Sequence, residues 1–153
     1  MPALKINPRI PQLLGYAGLL PMLALLFGIW GWPQLTTQLT DAATLYVGVI
    51  FSFLGGLQWG LAVRGDMENP PDTNATLRLI VGVAPSLTTG CALLIPTLYG
   101  GVCLITGLWL LLAFEWHWRD NNELPNWYLP LRINLTIMLS GSLAAVLWLV
   151  GCR

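Results

Sequence analysis

The residues of this sequence most able to do chemistry are a few polar side chains at the ends of long apolar runs. They are Gln58, Arg78, Glu115, His117 and Arg132. Ionisable groups that face the interior of a membrane bundle are costly to place there and commonly mark a ligand or ion path. We therefore expect these side chains to line a pocket that opens to the cytoplasm. The further candidate ligand-binding residues are Trp59, Ser86, Asn134, and the two residues expected to form a lid, Trp127 and Tyr128.

The alternative is that these residues only anchor and join helices. Charges at helix ends extend to the membrane interface, and Glu115 is one helical turn from Arg119, which predicts an ion pair between them. Gln58 and Asn134 would then hydrogen-bond neighbouring helices. Both interpretations stay open at this point.

The motifs of common catalytic and metal sites are missing from the sequence. There is no phosphate-binding loop, no pair of metal ligands at i and i+4, and no nucleophile elbow. Glu115 and His117 are two residues apart, so on a helix they point about 200° apart, which does not suit a shared metal ion. We assign no metal ligand, no catalytic residue and no cofactor. General acid and base catalysis by these two side chains on a lipid head group is the enzymatic alternative.

Composition identifies the class of protein that must position these residues. The chain has 153 residues, of which 56% are hydrophobic and 9% charged, and its net charge is zero. Ordinary soluble domains have roughly 25% charged residues, so this is an integral membrane protein. The absence of net charge argues against nucleic-acid binding. The bilayer itself is the first partner expected.

The apolar runs predict an all-α fold, a single bundle of five transmembrane helices. The expected spans are 10–31, 42–63, 77–96, 99–118 and 131–150. Cytoplasmic loops are enriched in Lys and Arg. Six of the seven basic residues lie on one side of this topology, and the seventh is Arg153. This predicts a cytoplasmic N-terminus and a periplasmic C-terminus. No Arg-rich presequence is visible, which favours a bacterial inner membrane.

Small residues recur along the second and third spans. Gly48, Ser52, Gly56 and Gly60 are four residues apart, and Gly82, Ser86 and Gly90 repeat the spacing. Small residues let membrane helices approach closely, so these ridges are expected to pack against each other or against the first span. The residues assigned to helix packing are Gly48, Ser52, Gly55, Gly56, Gly60, Gly82 and Gly90.

Local patterns add three smaller expectations. Pro21 is expected to bend the first span, because proline removes a backbone hydrogen bond. Asp41 ends a polar stretch and is expected to cap the second helix. Cys91 and Cys103 are expected to be small apolar residues of the spans. The alternative is a disulfide across a helical hairpin, because both are six residues from Thr97.

Several ordered motifs resemble those of a known family. They are Ser52-Phe53-Leu54-Gly55-Gly56, Trp59-Gly60, Ala84-Pro85-Ser86-Leu87, Pro125-Asn126-Trp127-Tyr128, Leu131-Arg132 and Leu135-Thr136. In this order they resemble the bacterial relatives of transmembrane protein 69, a family of unknown function whose eukaryotic members are mitochondrial. The resemblance implies a membrane location and no activity. Gln58 stands where a basic residue or histidine is expected before the Trp-Gly pair.

Two functional hypotheses follow. The first is a non-enzymatic inner-membrane protein that binds a lipid or another small amphipathic molecule in the cytoplasm-facing pocket. A looser likeness of architecture to the tryptophan-rich sensory proteins, without their Trp-Pro-Pro signature, adds a tetrapyrrole to the candidate ligands. The second is an accessory or assembly factor that packs against another membrane protein, or a second copy of itself, through its glycine-rich helix faces.

Overall fold

The computed structural model describes residues 9–68, 73–118 and 127–151, and these residues form helices joined by short turns. The helices are α1 (Arg9–Ala17), α2 (Leu20–Gly31), α3 (Thr36–Glu68), α4 (Thr73–Leu94), α5 (Thr97–His117) and α6 (Tyr128–Gly151). Five stretches are long and apolar enough to cross a membrane: Arg9–Gly31, Pro33–Val63, Thr76–Leu94, Thr97–His117 and Tyr128–Gly151. The predicted all-helical bundle with five spans is therefore confirmed. Its orientation stays a prediction.

The second span begins earlier than the sequence suggests. Pro33–Leu35 form a 3-10 turn, and α3 begins directly after it. The hydroxyl of Thr36 donates to the Pro33 carbonyl at 2.7 Å, and the hydroxyl of Thr40 donates to the Thr36 carbonyl at 2.7 Å. Both threonine hydroxyls donate to backbone carbonyls of the preceding turn, so this polar stretch can form a helix. Asp41 therefore lies inside α3, and the prediction that it caps this helix is wrong.

The first span is divided into two helices. α1 ends at Ala17, α2 begins at Leu20, and Pro21 lies in the first turn of α2. Proline suits that position because its missing N–H has no partner in a first turn anyway. The hydroxyl of Tyr46 on α3 donates to the Gly18 carbonyl at the break. A neighbouring helix thus satisfies a backbone group that the break leaves outside a helix.

The most extensive helix contact in the described part of the chain joins α3 and α4. A Cβ on Gly55 would overlap the Gly82 carbonyl oxygen, and a Cβ on Gly48 would lie 2.6 Å from Thr89 Cγ2. The Thr89 hydroxyl donates to the Gly48 carbonyl at 3.1 Å, and Ser52 Oγ donates to Thr89 Oγ1 at 3.2 Å. The backbones approach closely because these side chains are small or absent.

Some residues of the predicted ridges lie outside this contact. A Cβ on Gly56, Gly60 or Gly90 would have no neighbour within 4 Å, and Ser86 is exposed. The reason is rotational: each residue turns a helix by about 100°, so steps of four residues drift by about 40° each. The residues of α3 that do face α4 follow steps of four, three and four: Gly48, Ser52, Gly55 and Trp59.

α3 is the central helix of the bundle, because it packs against α2, α4, α5 and α6. The buried core around it consists almost entirely of aliphatic side chains. Its largest fully buried members are Met22, Ile29, Leu104, Leu108, Leu143, Val47 and Val146. This core holds the helices that carry the polar side chains in a fixed arrangement.

The cysteines of the fourth and fifth helices do not pair. Cys91 and Cys103 are both exposed and carry free thiols. Equal sequence distance from a turn does not fix helix rotation, and both side chains lie on exposed helix faces. The disulfide considered for this hairpin is therefore not formed.

Candidate functional site

A buried carboxylate joins three helices at one end of the bundle. Glu115, near the C-terminal end of α5, is only 3% exposed. Its Oε1 accepts a hydrogen bond from Gln58 Nε2 of α3 at 2.8 Å and one from the Tyr128 hydroxyl of α6 at 3.4 Å. Its Oε2 accepts from Arg132 Nε of α6 at 3.0 Å. The Glu115 cluster, as named here, consists of Gln58, Glu115, Tyr128, Arg132 and Thr136.

Arg132 is the second centre of the Glu115 cluster. Its side chain is 4% exposed, and besides its ion pair with Glu115 its Nη1 donates to Thr136 Oγ1 at 2.9 Å. Its Nη2 is also buried, and it has no hydrogen-bond partner among the described residues. A guanidinium carries donors only, so this atom requires an acceptor. Glu115 thus pairs with a residue of another helix, while the predicted partner Arg119 lies outside the residues that the structure describes.

The spacing of polar residues on α6 explains the position of the guanidinium. Tyr128, Arg132, Thr136 and Ser140 are four residues apart, and the Ser140 hydroxyl donates to the Thr136 carbonyl at 2.7 Å. The last three of these side chains are buried. Residues at this spacing share one face of a helix, so α6 presents a polar stripe to the interior. Thr136 and Ser140 were missed as site residues, although this spacing is visible in the sequence.

Each charged member of the cluster depends on the other. Removing one partner of a buried ion pair leaves an uncompensated charge, which destabilises a protein by about 3 to 5 kcal/mol. Gln58 and Tyr128 both bind Oε1, the oxygen that a bidentate pair with Arg132 would have used. The carboxylate therefore has partners on both oxygens, whereas the guanidinium keeps one buried nitrogen without an acceptor among the described residues.

Four other candidate ligand-binding residues lie apart from the Glu115 cluster. Trp59 donates from Nε1 to the Leu79 carbonyl at 3.0 Å and packs on Gly82, so it belongs to the α3–α4 contact. Asn134 Nδ2 donates to the Tyr16 hydroxyl at 3.3 Å on an exposed surface. Ser86 and His117 are exposed. None of these four side chains belongs to the Glu115 cluster.

Arg78 and Trp127 lie at the same end of the bundle as the cluster. Arg78 is buried near the start of α4. The ring of Trp127 meets the ring of Tyr128 edge-on, with centroids 6.3 Å apart. Trp127 is therefore adjacent to a cluster residue, where the sequence predicts a lid.

Most tryptophans are exposed on the outside of the helix bundle. The exposed indole side chains are those of Trp30, Trp32, Trp59, Trp109, Trp116 and Trp148. Indole rings favour the interface between bilayer and water. Trp30, Trp32, Trp116 and Trp148 lie near the ends of spans, where such anchoring residues are expected.

An apolar groove of about 260 Å³ lies between α3, α4 and α5. Its lining residues are Phe51, Val81, Ala84, Pro85, Thr88, Gly107, Leu110, Leu111 and Phe114. The same three helices carry polar residues at the groove's end: Glu115 lies one turn after Leu111 on α5, and Arg78 lies one turn before Val81 on α4. Gln58 lies two turns after Phe51 on the same face of α3. The groove and the Glu115 cluster therefore adjoin along α5.

The opposite end of the bundle carries a second cavity, of about 450 Å³, beside Asp41 and Thr97. Thr97 Oγ1 donates to Asp41 Oδ1 at 2.7 Å, which ties α3 to the first turn of α5. A carboxylate near a helix N-terminus is stabilised by the helix dipole. Asp41 thus supports the start of α5, a role that the sequence did not reveal.

Comparisons with known proteins agree on the family and name no activity. A family model described as "Protein of unknown function (DUF3429)" matches residues 7–148. Transmembrane protein 69 of Xenopus tropicalis is 32% identical over 149 residues, which are 95% of this chain and 56% of that protein. The chain thus spans little more than half the length of this curated relative. No solved structure matches.

Proposed function

Since this chain belongs to the DUF3429 family, whose function is unknown, we propose a function from the site itself: the protein binds a small amphipathic molecule or a lipid. The polar head of the ligand binds the Glu115 cluster, and its apolar part lies in the groove between α3, α4 and α5. Family membership confirms the resemblance to transmembrane protein 69 that the motifs predict. It adds no substrate and no partner.

The observation that carries this proposal is the buried guanidinium of Arg132, whose Nη2 has no acceptor within the described part of the chain. A buried donor without an acceptor costs about 1 to 3 kcal/mol, and more when the group is charged. Polar groups inside membrane spans are rare unless they are paired or used. A bound molecule that supplies an acceptor to Nη2 offsets this cost, which is why the proposal places the head group there.

The apolar groove supports the amphipathic character of the ligand. Ligand sites are mostly apolar clefts with a few polar groups that fix orientation. Here the groove is lined mainly by aliphatic and aromatic side chains, and Leu111 of its wall lies one helical turn before Glu115 of the cluster. A molecule with an apolar chain and one polar head matches this division. We place this binding site at the cytoplasmic end of the bundle, because basic residues are concentrated at that end. The membrane that we propose is a bacterial inner membrane.

Native mass spectrometry in a mild detergent tests the proposal. The wild type is expected to carry a bound mass of a few hundred daltons, and Arg132→Lys is expected to lose most of it, because lysine keeps the charge and lacks the guanidinium fork. Thr106→Val is the matched control, because Thr106 is exposed and its hydroxyl donates to the Val102 carbonyl of its own helix. A bare wild type, or equal ligand content in Arg132→Lys, would contradict the proposal.

A second candidate function is an accessory or assembly factor for another membrane protein. It is favoured by the exposure of Gly56 and Gly60, which are four residues apart with no neighbour within 4 Å of a Cβ. This Gly-x-x-x-Gly spacing suits close approach of another helix. Gly56→Leu should then abolish recovery of a polypeptide partner, while Gly141→Leu, at another uncovered glycine on α6, should not. If the partner is still recovered with Gly56→Leu, the face that carries Gly56 and Gly60 is not the partner's binding surface.

A further inference from the structure

We infer that the cavity beside Asp41, at the opposite end of the bundle from the Glu115 cluster, binds a small organic amine in its ammonium form. This cavity has a volume of about 450 Å³ and lies between α3, the end of α4 and the start of α5. Cavities that bind small molecules commonly have volumes of about 300 to 1,000 Å³. The site is separate from the one proposed above, so each can be tested without the other.

The charge of this cavity is negative. Of its lining residues, all of which the structure describes, Asp41 alone is charged. The last turn of α4 and the first turn of α5 also border the cavity, through Leu93 and Thr97. A helix end carries a partial charge of about half a unit, negative at the C-terminus and positive at the N-terminus, so these two contributions offset each other. The carboxylate thus sets a negative potential, which favours a cation over a neutral molecule or an anion.

The side chains of the cavity present hydrogen-bond acceptors. The Thr97 hydroxyl donates to Asp41 Oδ1 at 2.7 Å, and the buried Thr44 hydroxyl donates to the Thr40 carbonyl at 3.0 Å. Each hydroxyl has one hydrogen, so both oxygens remain acceptors, and the carboxylate can accept further hydrogen bonds beside that from Thr97. A primary ammonium group donates up to three hydrogen bonds, which suits this set. Because Asp41 is exposed, the bound ammonium also keeps part of its hydration.

The walls of the cavity favour an organic amine over a metal ion. Calcium takes six to eight oxygen ligands at about 2.3 to 2.6 Å, whereas the lining residues supply one carboxylate. Within the described part of the chain, no three His, Cys, Asp or Glu side chains are grouped so that they could hold a metal ion. The lining residues that can pack on the hydrocarbon part of an amine are Ala42, Leu45, Ala92, Leu93 and Ile95.

The same walls favour a primary amine over a quaternary one. Proteins recognise quaternary ammonium groups by aromatic cages. The lining residues, which the structure describes in full, include no aromatic side chain. A quaternary group also carries no N–H, so it would leave the acceptors of Asp41, Thr44 and Thr97 without a new hydrogen bond.

The full-length protein in nanodiscs of phosphatidylcholine provides the test, because this lipid has no net charge. Four probes of equal chain length are added separately: hexylamine, hexanol, hexanoate and hexyltrimethylammonium. The unfolding temperature at increasing probe concentration gives apparent affinities. Hexylamine is expected to bind about tenfold more tightly than hexanol, the effect of a hydrogen bond to a charged group. Asp41→Asn should remove this preference and leave hexanol binding unchanged, because asparagine keeps an acceptor for Thr97 and lacks the charge.

An NMR measurement on the wild type locates the amine without relying on a variant. With ¹³C-labelled alanine methyl groups, the chain of hexylamine is expected to show strong NOEs to Ala42 and Ala92, which line this cavity. Ala84 lines the groove between α3, α4 and α5 and should show weaker ones.

Several outcomes would overturn the inference. They are equal affinities for hexylamine and hexanol, tightest binding of hexanoate, and an unchanged preference for the amine in Asp41→Asn. Binding of hexyltrimethylammonium as tight as that of hexylamine would contradict the primary amine, as would displacement of hexylamine by an equal concentration of CaCl₂. Stronger NOEs to Ala84 than to Ala92 would place the amine in the other groove. None of these results bears on the ligand proposed for Arg132.

Discussion

Arg132 Nε donates to Glu115 Oε2 at 3.0 Å, and this buried contact links the start of α6 to the end of α5. The two helices are connected through residues 118–127, so neither the local spacing nor the hydropathy of the sequence requires this pairing. The contact also positions Arg132 Nη2, a buried nitrogen for which the described residues supply no acceptor.

The first prediction concerns the energetic coupling of this pair. Glu115→Leu and Arg132→Leu are each expected to destabilise the protein by about 3 to 5 kcal/mol, because each leaves a buried charge without its partner. The double variant should lose much less than the sum, since it leaves neither charge behind. Reversible unfolding in detergent micelles measures all three. Strictly additive losses would contradict a direct interaction between the two side chains.

The second prediction concerns the α3–α4 contact. Gly55→Ala should destabilise the protein by about 1 to 3 kcal/mol, because the added methyl group overlaps the Gly82 carbonyl oxygen and the helices must separate. Gly56→Ala is the matched control, since its Cβ meets no neighbour within 4 Å, and it should be neutral or slightly stabilising. Thermal unfolding of both variants distinguishes these faces. Equal destabilisation would mean that the contact involves a different face of α3.

The third prediction tests the apolar groove. Ala84→Phe should reduce the amount of bound amphipathic molecule, because Ala84 lines the groove and the larger ring occupies it. Ala113→Phe adds the same ring at an exposed position of α5 outside the groove lining, so it should leave the bound amount unchanged. Lipid extraction followed by mass spectrometry quantifies both. If the two variants retain the ligand equally, the apolar part lies elsewhere.

Particular residues show which structural features the sequence predicts and which it does not. The five spans were predictable because their apolar length exceeds what a soluble helix needs. The ion pair of Glu115 with Arg132 was not predictable, since it depends on how α5 and α6 are rotated, and hydropathy does not determine rotation. The start of α3 was misjudged because the hydroxyls of Thr36 and Thr40 are satisfied within the helix. The polar stripe on α6 could have been predicted from the sequence. Its four-residue spacing places Thr136 one turn after Arg132, where the two side chains can hydrogen-bond.

The fourth prediction concerns orientation, which rests on basic residues alone. In a variant with Cys91 and Cys103 replaced by serine, Cys152 should react with a membrane-impermeant thiol reagent added to intact cells lacking an outer membrane. The companion variant carries Asn122→Cys as its single cysteine and should be protected, because the loop between α5 and α6 is predicted to be cytoplasmic. The reverse labelling pattern would invert the topology and place the Glu115 cluster at the outer end.

The central claim is that Arg132 Nη2 binds an oxygen atom of an amphipathic ligand. A crystal structure of the wild type grown from a lipidic mesophase, with side chains resolved, tests this most directly. The account predicts an elongated molecule in the groove between α3, α4 and α5 whose oxygen lies within hydrogen-bond distance of Nη2. A protein oxygen bonded to Nη2, with no elongated density in the groove, would contradict it.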